Sequence, residues 1–303
     1  MRGTARGYAL AVANMVVSGA AVYVNSLGVK LFDDSTLYTA LKNFVAGLLL
    51  LAPFAFSARA RAGLVAAAPR RVLLAVVALI GGSVPYALYF RGLQLSTPVT
   101  GALIDHLQFL LVAIFAVGFL GERFGAGVWV ALAVLLAGLS LGISVSAVRL
   151  DAGAIYLAAA TLLFAADFVL MKYLLRSVAP LTVMAAKMSL GSLLLLAWVA
   201  VNGRLGAVAG LSLLQGGFVA VTGLILVLFT ATSVLGLRLA SATAVTAIPA
   251  GAPLITTILV VISRSTVVAP ARWLGLALVL LAVTAVIVLG SRQERRARAP
   301  EEA

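Results

Sequence analysis

Ten apolar runs occupy most of this chain, at about 8–27, 36–56, 72–90, 97–120, 126–146, 152–175, 181–202, 213–235, 241–263 and 270–289. Wound as a helix, about 20 apolar residues cross the ~30 Å hydrocarbon core of a bilayer. The punctuation between runs is short and turn-forming: Asp33-Asp34-Ser35, Pro69-Arg70-Arg71, Gly121-Glu122-Arg123, Asn202-Gly203-Arg204 and the stretch around Pro270. Lipid offers no partners to backbone N–H and C=O groups, so only helices and closed β-barrels span it. Barrel strands alternate in polarity over about ten residues, and these runs do not. The fold this predicts is an all-α polytopic membrane protein with ten transmembrane helices. Composition names the same solvent: 63 % of residues are hydrophobic and only 10 % charged, against about 25 % charged in a soluble domain.

The net charge of +13 reads as membrane topology rather than nucleic-acid binding, because the cations sit at the ends of apolar runs. With the N-terminus inside, 14 Lys and Arg residues fall on the inner side and 6 on the outer, Arg264 and Arg272 among the latter. The positive-inside bias therefore predicts the plasma (inner) membrane with both termini cytoplasmic. The run from Arg292 to Arg298 reads as a solvated basic tail near anionic lipid. Arg2 and Arg6 precede the first run, which continues too long for a signal peptide and lacks a small-residue cleavage site. No cysteine is present, which removes disulfides, thiolate metal sites and cysteine nucleophiles.

The chain repeats itself once, at a period of about 145 residues. Ala40-Leu41-Lys42-Asn43 leads into Gly47, Leu48 to Leu51 and Ala52, and Ala185-Ala186-Lys187-Met188 leads into Gly191-Ser192, Leu193 to Leu196 and Ala197. Gly92 and Trp129 find counterparts in Gly236 and Trp273, at an offset of 144. The expected units are 1–148, 149–290 and a basic tail 291–303. Five spans per unit is an odd number, so the second unit runs upside-down relative to the first. Inverted repeats are a recurrent architecture of secondary transporters, whose halves rock to open a central site to each side in turn.

These residues resemble the EamA-type transporters of the drug/metabolite transporter superfamily. Leu120-Gly121-Glu122-Arg123 followed by Trp129, Gly138 and Gly142 matches the end of that family's first repeat. Pro253 stands where the family has a proline in the second, and Phe164-Ala165 through Lys172 resembles its aromatic-small and lysine pattern. Lys42 and Lys187 occupy places where a basic residue is common. Three departures leave the subfamily open: Phe109 for a proline, Ser265-Thr266 for a glutamate, and Ser18-Gly19 for a tryptophan-glycine pair. The resemblance implies movement of amino acids, other metabolites or drug-like molecules, usually outward, with no cofactor.

Ionisable residues at membrane depth are costly, roughly 2.5–3.5 kcal/mol each on insertion scales, and so face protein or water. Asp105, His106 and Gln108 form the densest such group, with Asp105 and Gln108 sharing a helical face. They suit an ammonium group or a coupling proton, or else an interhelical hydrogen bond. Asp167 lines the cavity or pairs with Lys172 or Lys187. Lys42 and Lys187 read as an outer and an inner gate, or as lysines reaching the headgroups. Tyr86, Tyr89, Asn14, Tyr23 and Asn25 are further candidates for a cavity expected among spans 1, 3, 4, 6, 8 and 9. Pro249 and Ala250 to Pro253 read as a helix break, and Glu122 as structural or gating. There is no phosphate-binding lysine loop, and a single histidine allows no histidine-rich metal centre. The expected function is a secondary, non-enzymatic transporter of small solutes. A carrier of lipid or lipid-linked precursors, or a non-transporting membrane protein, remains as an alternative.

Overall fold

A computed structural model describes residues 2–141, 148–264 and 269–298. Nine of its helices are long and apolar enough to cross a membrane: α1 Gly3–Leu31, α2 Ser35–Phe56, α3 Ala68–Leu95, α4 Val99–Leu120, α6 Ala152–Leu174, α7 Pro180–Val201, α8 Leu213–Leu239, α9 Ala242–Ser263 and α10 Pro270–Glu294. The expected fifth span is the shorter apolar helix α5, Ala126–Ser140; its continuation, including Gly142, lies outside the described residues, as do Arg264's side chain and Ser265-Thr266. A short helix, Ala58–Ala66, joins α2 to α3. Of the predicted tail, Ser291–Arg298 is helical and continues α10.

Local chemistry sets the helix starts. Asp34 accepts the N–H groups of Thr36 and Leu37 at the head of α2, Asp151 accepts that of Ala154 at α6, and Ser212 with Gln215 closes a capping box at α8. Such caps satisfy first-turn N–H groups that have no partner within the helix.

The helix pairings keep their pattern when each helix is exchanged for the one five places away. Helix α3 packs on α6 as α8 packs on α1, α2 on α8 as α7 on α3, and α4 on α6 as α9 on α1. The pairs α2–α7, α4–α9 and α5–α10 map onto themselves. Repeat-related glycines occupy matching crossings. A Cβ on Gly92 would lie 2.9 Å from the Gly153 carbonyl on α6, and Gly236 faces the Gly7 carbonyl on α1. At the α5–α10 crossing each glycine is roofed by the other's backbone: a Cβ on Gly138 would stand 2.8 Å from the Gly275 oxygen, and one on Gly275 2.6 Å from the Gly138 oxygen. Small residues let backbones approach this closely where no hydrophobic driving force acts between helices.

Gly138→Val or Gly275→Val forces these backbones apart, and overpacking of this kind costs about 1–3 kcal/mol. Each should lower the thermal midpoint of the solubilised protein, while Gly206→Ala, which meets open space, should leave it unchanged; fluorescence-monitored melting checks both.

Candidate functional site

Helix α4 is interrupted where its polar residues lie. A regular stretch Pro98–Asp105 ends at His106 and a second, Gln108–Phe115, begins two residues on. Between them the N–H of Leu107 bonds the Ile104 carbonyl, one residue short of helical register. Helix α9 breaks beside it, with Pro249–Gly251 forming a tight turn between Ala242–Ala247 and Ala252–Arg264. Proline at 249 has no N–H to continue the ladder, as the sequence predicted for this stretch.

The two breaks face a cavity of about 240 Å³. Its lining brings together Asn14, Ser18 and Val22 of α1, Asp105, His106, Gln108 and Phe109 of α4, Phe168 of α6, Phe229 of α8, and Val245, Thr246, Pro249, Ala250, Ala252 and Pro253 of α9. Of the sequence candidates, Asn14, Asp105, His106 and Gln108 therefore meet on one wall system. Tyr86, Tyr89, Asp167, Lys42 and Lys187 are not among the lining residues, and α3, expected to contribute, supplies none. Phe168, Phe229 and Thr246 were not singled out by sequence, and Ser18 only as a departure from the family pattern.

The lining holds one carboxylate and neither lysine nor arginine. Asp105 is open to the cavity and has no ion-pair partner among the described residues. Tyr89 lies within its electrostatic reach. His106 has a buried Nδ1 with no hydrogen-bond partner, although buried polar atoms are normally satisfied. Asn14, in contrast, is pinned: its amide donates to the Phe229 carbonyl at 2.8 Å, Thr232 Oγ1 at 2.8 Å and Ser233 Oγ at 2.9 Å, tying α1 to α8.

Asp167 pairs with Lys187, the second of its two expected partners, in a buried salt bridge. Lys187 rides on a widened π-helical turn, Ala186–Leu190, and its Nζ also lies 3.9 Å from Met171 Sδ and 5.7 Å from the Phe168 ring centroid. Phe168 is thus shared between the ion pair and the cavity wall. Helix α3 makes room: a Cβ on Gly81 would lie 2.2 Å from the Asp167 carboxylate, and α3 breaks at the next residues, Gly82 and Ser83. Tyr86 sits within electrostatic reach of Asp167, its ring edge-on to Phe164 at 5.2 Å. Lys42 has a different setting. Its Nζ donates to Asn25 Oδ1 at 2.9 Å and lies 5.3 Å from the Tyr38 ring centroid.

Polar contacts tie down the end of the bundle that carries both termini. Gly121, at φ 70°, turns the chain out of α4, a conformation easy for glycine. Glu122 then reaches across to α9, accepting the Ala242 N–H at 2.6 Å, the Thr243 N–H at 3.4 Å and the Thr243 hydroxyl at 3.2 Å. Burial pushes the Glu122 carboxyl above the usual range, opposed by those donors and by Lys172. Glu294 accepts the Ser241 N–H at 3.1 Å and the Tyr8 hydroxyl at 3.0 Å. Lys172 donates to the Leu237 and Ala240 carbonyls, both at 2.5 Å, closing the end of α8. Beneath these contacts Ala242, Ala247 and Ile248 are fully buried.

The profile of the EamA-like transporter family matches residues 5–143 and again 151–288. The chain belongs to the EamA-like transporter family. It is a membrane-embedded member of the drug/metabolite transporter superfamily, built from two copies of the EamA unit, in a family of transporters rather than enzymes. No curated protein matches it. A crystal structure of a protein 19 % identical to it superposes with a TM-score of 0.76, covering 97 % of this chain and 99 % of that one, and so shares the fold. Among the described residues no three histidine or carboxylate side chains gather as a metal site.

Removing one member of a buried ion pair strands the other and costs about 3–5 kcal/mol, whereas replacing both by apolar groups is often neutral. Asp167→Leu and Lys187→Met should each lower the melting midpoint sharply, and the double variant should recover most of the loss in the same melts.

Proposed function

We propose that this EamA-like transporter is a secondary carrier that works by alternating access and exports amino acids or related small amine-bearing metabolites across the plasma membrane. The observation that carries this reading is Asp105: a carboxylate with no ion-pair partner among the described residues, on the wall of a cavity, beside an unsatisfied His106 nitrogen, where α4 and α9 of the two repeats both break. A carboxylate on a mainly apolar cavity wall that carries no lysine or arginine attracts an ammonium group or a proton. Phe109, Phe168 and Phe229 give the solute an apolar bed and a cation–π face. A lipid-linked anionic precursor would need a larger basic cavity, and this lining carries no lysine or arginine.

In this reading the chain crosses ten times, with α5 and the residues after it as the fifth crossing, and both termini lie in the cytoplasm as the charge bias favours. The Glu122, Glu294 and Lys172 contacts then form the closed inner gate, and Lys187 on its π-helical turn works beside it. Movement of the inner end of α9 away from the end of α4 would release the Ser241–Thr243 segment and open the cavity inward. Asp105, His106 and Gln108 receive the solute or the coupling proton, with Tyr89 close to Asp105, and Asn14 holds α1 and α8 as one unit.

Counterflow in proteoliposomes with labelled amino acids and amines tests the reading. Wild type should accumulate label over empty liposomes, and Asp105→Asn should reduce this to background with an unchanged melt. Full counterflow by Asp105→Asn would remove the carboxylate from the mechanism. The gate has its own readout, because the chain has no cysteine. An Ala247→Cys reporter should react with a membrane-impermeant maleimide from the cytoplasmic side several-fold faster when Glu122→Gln is added.

A further inference from the structure

We infer that Arg272 stands in for the solute's cation: when the carrier closes empty, its guanidinium pairs with Asp105. This rests on the proposed role of Asp105 as the carboxylate that takes an ammonium group. Arg272 lies in the first turn of α10, at the positive end of the helix dipole, where a cation is disfavoured. It continues the inward face of that helix, because Leu276, Val279 and Val283 follow it at helical spacing and all three are buried. Val283 packs on the turn of α9 that gives the cavity Pro249 and Ala250; a Cβ on Gly251 would lie 3.2 Å from its Cγ2. The Arg272 side chain is half-buried, and a guanidinium does not lose its charge in a protein. It lies within electrostatic reach of His106, yet it makes no hydrogen bond and no ion pair among the described residues. Five donors without an acceptor, on an inward face, suit a partner that arrives in another state of the carrier.

Asp105, the chain neighbour of His106, is the acid left to be that partner. The other carboxylates of the described residues are committed or solvated. Glu122, Glu294, Asp34 and Asp151 hold N–H groups at helix starts, Asp167 is paired with Lys187, and Asp33 is exposed between α1 and α2. In the present arrangement Asp105 is open to the cavity. Closing the outer mouth strips water from it, and a carboxylate enclosed without a counter-charge is strongly disfavoured. A bound ammonium group supplies that charge on the loaded leg of the cycle. On the empty leg Arg272 supplies it, from the outer end where α10 begins in the proposed topology. The carrier can then return without cargo, and it performs net transport rather than obligatory exchange.

The test separates the two legs. Proteoliposomes are loaded with labelled leucine, phenylalanine or putrescine, and efflux is followed into plain buffer, which needs the empty return, and into buffer with the same unlabelled solute, which does not. Arg272→Gln should slow efflux into plain buffer by at least about tenfold while exchange changes by no more than about twofold, since it strands Asp105 only when no solute is bound. Arg272→Lys keeps a cation and should keep both fluxes, and Arg91→Gln, an exposed arginine expected at the same end, should alter neither. Undiminished efflux into plain buffer by Arg272→Gln overturns the assignment and leaves the Asp105 site standing, as does an equal fall of both fluxes with an unchanged melt. No exchange of any of the three solutes by wild type overturns both. If Arg272→Gln fails to fold, wild type decides: Arg272 does not titrate, so the ratio of plain efflux to exchange should stay constant between about pH 6 and 8. A steep rise of that ratio on acidification would mean that a proton neutralises Asp105 on the empty leg, and overturns the assignment.

Discussion

The Asp167–Lys187 pair imposes the most demanding constraint in this bundle. Two opposite charges buried this deeply hold only if the chain clears space for the carboxylate and brings the ammonium directly onto it. Three helices bend their rules to do so. Helix α3 gives up side chains at Gly81 and Gly82 and breaks at Ser83, α7 widens into a π-helical turn under Lys187, and α6 commits Asp167 to full burial. The remaining carboxylate oxygen has no partner, which leaves this junction under-satisfied next to Phe168 and the cavity. Mid-helix π turns recur at functional positions, and here one sits where the halves cross.

Two kinds of contact hold the bundle, and the proposed gate uses only one of them. The glycine crossings are backbone on backbone, with no side chain to rearrange, and suit parts that travel together. The contacts at the terminal end are side chains on helix ends: two glutamates on N–H groups of α9, and a lysine on carbonyls of α8. Each charge sits where the aligned peptide dipoles favour it, yet each bond is made by a flexible side chain at an edge. Such contacts break without unravelling a helix, which is what an opening seam requires.

Hydropathy made the helices legible because lipid permits one solution for a long apolar run, and the span boundaries moved by only a few residues. Asp105, His106 and Gln108 were legible for the opposite reason, as polar residues out of place in an apolar run. Phe168 and Phe229 were not, because a phenylalanine facing a cavity and one facing lipid look alike in one sequence. Glu294 was hidden in a charge-rich tail that reads as solvated, and Lys172, read as a family-pattern lysine or a partner of Asp167, instead caps the end of α8. The break in α4 leaves no sequence signal, since a shift in hydrogen-bond register changes no residue type, whereas the break in α3 falls at Gly81-Gly82 and just before Pro85. Tyr86 and Tyr89 were candidates for the cavity and are not among its lining residues, though each lies within electrostatic reach of one of the two acids.

The hydrogen bond from Tyr8 to Glu294 brings the first and last helices together at one end of the molecule. The path of the chain is therefore nearly a closed circle, and the helix pairings keep their pattern on exchange of the two repeats. A short peptide joining the ends, with the chain reopened between α5 and α6, would yield a circular permutant in which the second repeat is translated first. The pairings of that permutant would be those of the parent with the two repeats exchanged, so the contact pattern by itself does not record which repeat comes first.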